Sequence, residues 1–555
     1  MTEKKFNSLR DQIINKEKWN ENQFYVFDYE AGTGKSQNTF VFLGEMTKNY
    51  SYRVIYVQRF LRDDELSNTV ASINNHAGKR VADSFTGNDA KSEVRRKKAK
   101  ESQVLCITHK MYQQICKGNH QGLIKNREIL IIDEFPDLLE KVSLSKRDIG
   151  EAWMDLYKYN NPCLQDLIYK LKEKMIFYIR QKKKQMWFIN FKDSEYEEVK
   201  IELQKVINSI GDKKESILLL KIQQIINNGC FFYENSFHTY NNQIKFKMLK
   251  NNIILDANGG FDYRYSLSNK YHVIKQPKFH DYSPSIFRHY EVKTGKKDIA
   301  KMINLPEKAF QTISPELKGK SLFICDKENK TNLEKKLKSY LFSLGYEAEK
   351  VKEILDQNIK VDYFGNLIGV NTYKDFNTVV VLKTPNYDYL TYALTYFYYC
   401  STENIELGNI QVFNHIEIEE IRKTTVAGEI YQAIKRINRN NSKPSEIVVF
   451  TANQDAIDIV MRQLPNIKFI KEQLEVSKSS LKNESKRTSS FETKLEGIKK
   501  ILLEQKSEGE TSIRKQDLRK RIGETDKGNF GKLLRSMKSF LDDNKFINER
   551  QKIIL

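Results

Sequence analysis

Short, almost continuous apolar runs punctuate this chain at residues 24–27, 52–57, 104–107, 128–132 and 252–255, and again at 321–326, 378–382 and 446–451. Runs of that length without polar alternation predict strands buried on both faces, the habit of parallel sheets. Several of the stretches between them, at 37–46, 333–344 and 429–439, space their apolar residues as helices do. Such alternation predicts an α/β fold in two units. It breaks over 141–250, where 164–178 and 216–226 keep helical spacing, so a mostly helical insertion is predicted there. Residues 473–490 are rich in Ser, Lys and Glu and read as a linker. Beyond it 491–505, 513–522 and 530–541 are amphipathic, and strand-like residues follow at Phe546 and 552–555. Helix, helix, helix, hairpin is the order of a winged helix-turn-helix. The predicted plan is a first α/β domain over 1–140 that returns over 251–290, a second over 291–472, and a small domain over 491–555.

Charge adds a partner to this picture. Lys and Arg number 93 against 72 Asp and Glu in 555 residues, a formal charge of +21, which points to a polyanion such as nucleic acid. Part of the Lys excess travels with abundant Asn, Ile and Tyr, as in proteins of AT-rich genomes. Cys106, Cys116, Cys163, Cys230, Cys325 and Cys400 are scattered without a C-x-x-C pair, which argues against a zinc ribbon or a four-cysteine iron–sulfur cluster. Several lie in apolar strand-like runs and read as buried thiols of a reducing compartment. With no apolar signal core at the N-terminus and no apolar run of about 18 residues, a soluble cytoplasmic protein without a membrane partner is expected.

The candidate chemistry sits where the apolar runs end. The first leads into Tyr29-Glu30-Ala31-Gly32-Thr33-Gly34-Lys35-Ser36. Gly32, Thr33 and Gly34 let backbone N–H groups turn toward a polyphosphate, Lys35 can reach its outer phosphates and Ser36 can ligate Mg²⁺. The run at 128–132 ends in Asp133 and Glu134, a metal carboxylate and a water-positioning base, or else a solvated acidic turn. Gln432, Arg436 and Arg439 fall at i, i+4 and i+7 of a predicted helix. One face then offers two guanidiniums to a transferred phosphoryl group, although a solvated basic helix has the same pattern. Gln12 could read an adenine edge or be an ordinary surface side chain. Arg59, Thr108 and His109 close predicted strands, and Asn366 and Asn371 lie in a Gly/Asn loop over 363–371, where a nucleic-acid backbone could be gripped. Lys182, Lys183 and Lys184 beside Trp187 and Phe188 suit stacking on a single strand, or a core tryptophan under a basic helix. Arg519, Lys532 and Arg535 fit a DNA-facing surface of the terminal domain, with protein docking as the other reading.

Assembled, these segments resemble a superfamily 2 helicase. The matches are Gly32-Thr33-Gly34-Lys35-Ser36, Asp133-Glu134-Phe135-Pro136, Asp256-Ala257-Asn258, Gly369-Val370-Asn371 and Gln432-Ala433-Ile434-Lys435-Arg436-Ile437-Asn438-Arg439. The resemblance covers residues 5–455 and implies two RecA-like domains with ATP and Mg²⁺ held between them, Arg436 and Arg439 completing the site from the second. It departs from the family at Tyr29, where a small residue is usual, at Asn258 in place of Thr, and at Lys435 in place of Gly. The insertion is similar to modules that separate strands in such helicases. The implied activity is an ATP-dependent translocase on single-stranded or branched DNA. An RNA helicase and a nucleotide-switched DNA-binding regulator are the alternatives.

Overall fold

The apolar runs pair through registers that bring their carboxyl ends together. In chain order the first strands are β1 (Phe24–Phe27), β2 (Val54–Gln58), β3 (Ala82–Phe85), β4 (Val104–Thr108) and β5 (Ile129–Asp133). The chain then leaves for an insertion containing β6 (Lys141–Ser145), β7 (Trp187–Ile189), β8 (Cys230–Tyr233) and β9 (Ser236–Tyr240), and returns as β10 (Asn251–Leu255) and β11 (Tyr271–Ile274). Outside the insertion the order is β11-β1-β10-β5-β2-β4-β3, with every neighbouring pair parallel. Phe27 lies opposite Leu255, and Leu255 opposite Asp133. That register lines up the three turns that follow β1, β10 and β5. This computed structural model describes residues 3–59, 64–157, 160–181, 186–191, 195–210, 213–299, 302, 304–312, 319–367, 372–400, 415–439, 441–474, 490–524 and 526–555.

A second parallel sheet holds β12 (Ile286–Tyr290), β13 (Ser321–Cys325), β14 (Ile359–Tyr363), β15 (Thr378–Val381), β16 (Glu446–Phe450) and β17 (Lys468–Glu472), in the order β14-β13-β15-β16-β12-β17. The α/β class is thus present twice, one P-loop sheet and one partner sheet. The boundary falls earlier than the sequence indicated: β12, in the stretch 251–290 assigned to the first domain, pairs with β16 and β17. Arg288 and His289 interrupt its apolar pattern and hid it. The two lobes share a core, since Ala31 and Ala257 of the first pack among Tyr282, Phe287, Val426 and Tyr431 of the second.

The insertion is only partly as expected. Its helices Lys146–Tyr157, Pro162–Arg180, Glu195–Ser209 and Lys213–Asn228 are joined by an antiparallel sheet in the order β6-β9-β8-β7. The β8–β9 hairpin turns through Glu234 and Asn235, both at positive φ (47° and 61°), the geometry that suits a tight hairpin. Trp187 packs on Tyr178 at 5.7 Å, so it serves the core rather than a stacking platform, and Lys182, Lys183 and Lys184 lie outside the described residues. The sheet docks on a tyrosine-rich helix of the second lobe, Tyr389–Tyr399. Phe397 stacks on Phe188 at 5.2 Å, and Tyr398 donates through its hydroxyl to the Ile244 carbonyl at 2.7 Å.

A separate compact unit covers Ser477–Leu555. Its described part runs helix Ser490–Ser507, β18 (Ser512–Arg514), helices Lys515–Arg521, Lys527–Ser536 and Lys538–Asp543, β19 (Ile547–Asn548) and β20 (Lys552–Ile554). The strands form an antiparallel sheet in the order β18-β20-β19 around Ile498, Leu518, Leu533 and Ile553. The helix read over 513–522 therefore begins later, with a strand before it.

Candidate active site

The turn after β1 is built by its glycines. Gly32 and Gly34 sit at φ +87° and +85°, which other residues adopt only with strain, and Gly34 opens the helix Lys35–Asn49. Thr33 folds its hydroxyl back onto the Glu30 carbonyl at 2.8 Å. Tyr29, bulky where a phosphate turn usually has a small residue, is absorbed by the core: its ring packs on Phe6 and Phe27 and is fully buried. Lys35 Nζ donates to the Leu255 carbonyl at 3.0 Å and stands 3.6 Å from Asp133 Oδ1. Ser36 Oγ and the Tyr56 hydroxyl both donate to Asp133 Oδ2, at 2.6 and 3.0 Å. Asp133 Oδ1 is buried and accepts no hydrogen bond from any described residue. A hydroxyl beside a carboxylate with an unused oxygen is the donor set of a Mg²⁺ shared with phosphates, so the residues present fit that ion.

Glu134 follows at φ +69°, its backbone N–H donating to Leu255 O at 3.0 Å. Burial would raise its carboxyl pKa, but Lys35, Arg59 and Arg436 around it hold it below the usual range. Arg59 Nη1 is 3.5 Å from Glu134 Oε2, so this residue, expected to grip nucleic acid, lies beside the acidic pair. His109 also lies against this turn. Its Nε2 lies 2.8 Å from the Asp133 carbonyl, and burial lowers its pKa, which leaves a neutral ring holding the acidic turn in place. Thr108 is spent as a helix cap, its hydroxyl accepting from Met111 N at 3.1 Å at the start of the helix His109–Cys116.

From the second lobe, the helix Ile416–Ile434 stops earlier than its pattern suggested. Lys435 caps it and Asn438 takes φ +40°, so Arg436 and Arg439 project from a turn rather than from a helix face. Gln432, the one of the three that lies on the helix itself, accepts from Arg436 Nη2 at 3.4 Å. The turn meets the cradle directly: a Cβ on Gly32 would overlap the Arg439 carbonyl oxygen. Together the two lobes enclose a cavity of about 690 Å³ whose lining includes Gly32, Gly34, Lys35, Ser36, Asp133, Glu134, Arg436 and Arg439. Burial pulls the Arg436 guanidinium down to about 10, against the attraction of Glu134, and lowers that of Arg439.

No family model matches this chain. No curated protein matches it either. Among solved structures it is similar to Xpd4 of S. tokodaii, with 12% identity over 84% of this chain and 99% of that one at a TM-score of 0.49. The DEAD-box helicase Mss116 bound to ssRNA and UDP-BeF shares 10% identity over 98% of this chain and 89% of its own, at a TM-score of 0.41. The Mycobacterium smegmatis helicase Lhr bound to ssDNA and AMP-PNP shares 9% over 96% of this chain and 57% of its own, at 0.37.

Gln12 and Asn366 are not among the residues that line the cavity. Gln12 is buried at the far end of the sheet, where its Nε2 donates to Asn251 Oδ1 at 3.0 Å at the start of β10. That is a strand length, roughly 13 Å, from the cradle beside Leu255, so Gln12 fastens the N-terminal helix and reads no adenine there. Asn366 follows β14 with its amide on the Asp362 carboxylate at 2.9 Å, and Asn371 falls outside the described residues. In the separate unit Lys532 and Arg535 are exposed on one helix and Arg519 is half-buried on another. The cavity also recruits residues that no motif announced. Tyr56, Glu65, Asn68, Lys374, Asp375 and Ser442 line it, brought there by the sheet order, by the helix Glu65–Ala77 and by loops whose local sequence carries no phosphate signature.

Proposed function

We propose that this chain is a nucleic-acid-stimulated ATPase of the superfamily 2 helicase type, acting on DNA. The observation that carries the reading is the single cavity bounded by Lys35, Ser36, Asp133 and Glu134 on one side and by Arg436 and Arg439 on the other. Glu134, held ionised, accepts a proton from a water that attacks the γ-phosphorus of ATP. The bond to the β–γ bridging oxygen breaks, leaving ADP and inorganic phosphate. Lys35 and the backbone of the cradle hold the phosphates, and Arg436 and Arg439 meet the charge that spreads over the transferred group. Ser36 and Asp133 would hold Mg²⁺, which supplies charge neutralisation between the outer phosphates. Cycles of lobe closure and opening then move the chain along a strand. A helix, a strand, three helices and two strands over 490–554 support our reading of this unit as a winged helix, and exposed Lys532 and Arg535 support our choice of DNA as its substrate.

Lys35→Ala and Glu134→Gln are each expected to lower strand-stimulated ATP turnover by about 100-fold or more. Turnover at the wild-type rate in both variants overturns the assignment. Equal lengths of single-stranded DNA and RNA, compared as stimulators, separate the two helicase readings.

A further inference from the structure

Behind the cradle, three segments of the chain meet in a polar cluster that the proposed reaction does not use. Glu30 comes from the turn after β1, His280 and Tyr282 from the connector between the two sheets, and Lys435 from the turn that carries Arg436. Glu30, Tyr282 and Lys435 are only 1%, 2% and 5% exposed. Lys435 Nζ donates to the Tyr282 hydroxyl at 2.7 Å, and that hydroxyl donates in turn to Glu30 Oε1. Glu30 Oε2 accepts the backbone N–H groups of Phe279 and His280 at 3.0 and 3.2 Å, and His280 Nδ1 lies 3.1 Å from Glu30 Oε1. A neighbouring bond also crosses the cleft, from Ala31 N to the Tyr431 hydroxyl at 3.4 Å.

A buried carboxylate and a buried ammonium are each costly alone and tolerable only together. Here one belongs to the first lobe and the other to the second, so the pair is complete only when the lobes are juxtaposed. Its two ends adjoin the chemistry: Glu30 leads into the cradle, and Lys435 immediately precedes Arg436. Lys435 also stands where the helicase motif usually has glycine, which could make none of these bonds.

We propose that Glu30, Tyr282 and Lys435 form a buried latch across the cleft that sets Arg436 and Arg439 in register with the phosphate cradle, making Lys435 and Glu30 positioning residues. Their effect on turnover rests on the reading of the cleft as an ATP site; their effect on lobe geometry does not.

The test uses the full chain with Glu30→Gln, Lys435→Met and the double variant. Spin labels are placed at Lys97→Cys and Lys338→Cys, exposed positions on the two lobes, with half-buried Cys163 and Cys400 changed to Ser. Each single variant should shift or broaden the interlobe distance and lower kcat about tenfold or more, with KM for ATP within about twofold. The double variant should be no worse than the poorer single, because no unpaired charge remains buried. Tyr282→Phe removes only the bridging hydroxyl and should lower kcat in the same direction, giving a readout should a charge variant fail to fold. Lower melting temperatures with unchanged kcat and label distances, or strictly additive effects in the double variant, overturn the latch. If the wild-type chain turns over no ATP, the proposed function fails while the label distances still decide this inference.

Discussion

Gly32 shows how one missing atom governs the cleft. Its positive φ and the Arg439 carbonyl against it leave no room for a side chain. Gly32→Ala is therefore expected to cost about 1–2 kcal/mol of stability from backbone strain and to reduce ATP turnover more than tenfold by wedging the lobes apart. A urea titration and a turnover assay check both, and wild-type turnover would mean that the two turns need not touch. At this scale the sequence is most legible where chemistry is local. Lys35, Ser36, Asp133 and Glu134 are singled out by their adjacent residues, and the structure brings all four to one cavity. Gln12 and His109 cannot be placed that way, because whether a polar side chain faces ligand or core is set by partners distant in the chain, here Asn251 and Asp133.

Elements were read where their pattern was pure. The buried runs of β1, β4, β5 and β10 announced themselves, whereas β12 was hidden by Arg288 and His289, which pair with Glu446 and the Thr451 carbonyl once the sheet forms. The insertion's sheet was missed because its short strands alternate weakly between long helices. The spacing of Gln432, Arg436 and Arg439 suggests one helix, yet the helix stops at Ile434 and Asn438 beyond it takes positive φ, and only the assembled cleft makes the arginines converge. The helix His109–Cys116 offers a test at this scale. Thr108→Ala removes its cap and should cost about 1 kcal/mol by thermal or urea unfolding. Strand affinity should stay unchanged, and a clear loss of affinity would restore Thr108 to a nucleic-acid contact.

For the whole molecule, the cross-lobe charges make stability depend on acid. The Glu30 carboxyl is held at about 2, below its ordinary 4.5, because its hydrogen bonds from His280 and Tyr282 outweigh burial. The unfolded chain thus takes up that proton first, and the stability Glu30 contributes is complete above about pH 4.5 and is lost as pH falls toward 2. Urea midpoints of wild type and Glu30→Gln should converge as pH drops through that window; a gap that stays constant would show the carboxylate to be irrelevant. The tyrosine-rich helix Tyr389–Tyr399 adds a second attachment, tucked under the insertion of the opposite lobe. A body fixed at one spot can tilt in any direction, but one fixed at two can swing only about the line that joins them. Tyr282 and Phe397 give two such points, and Ala31 and Ala257 packed among Val426 and Tyr431 give a third, so the lobes are tied across a face rather than along a single line.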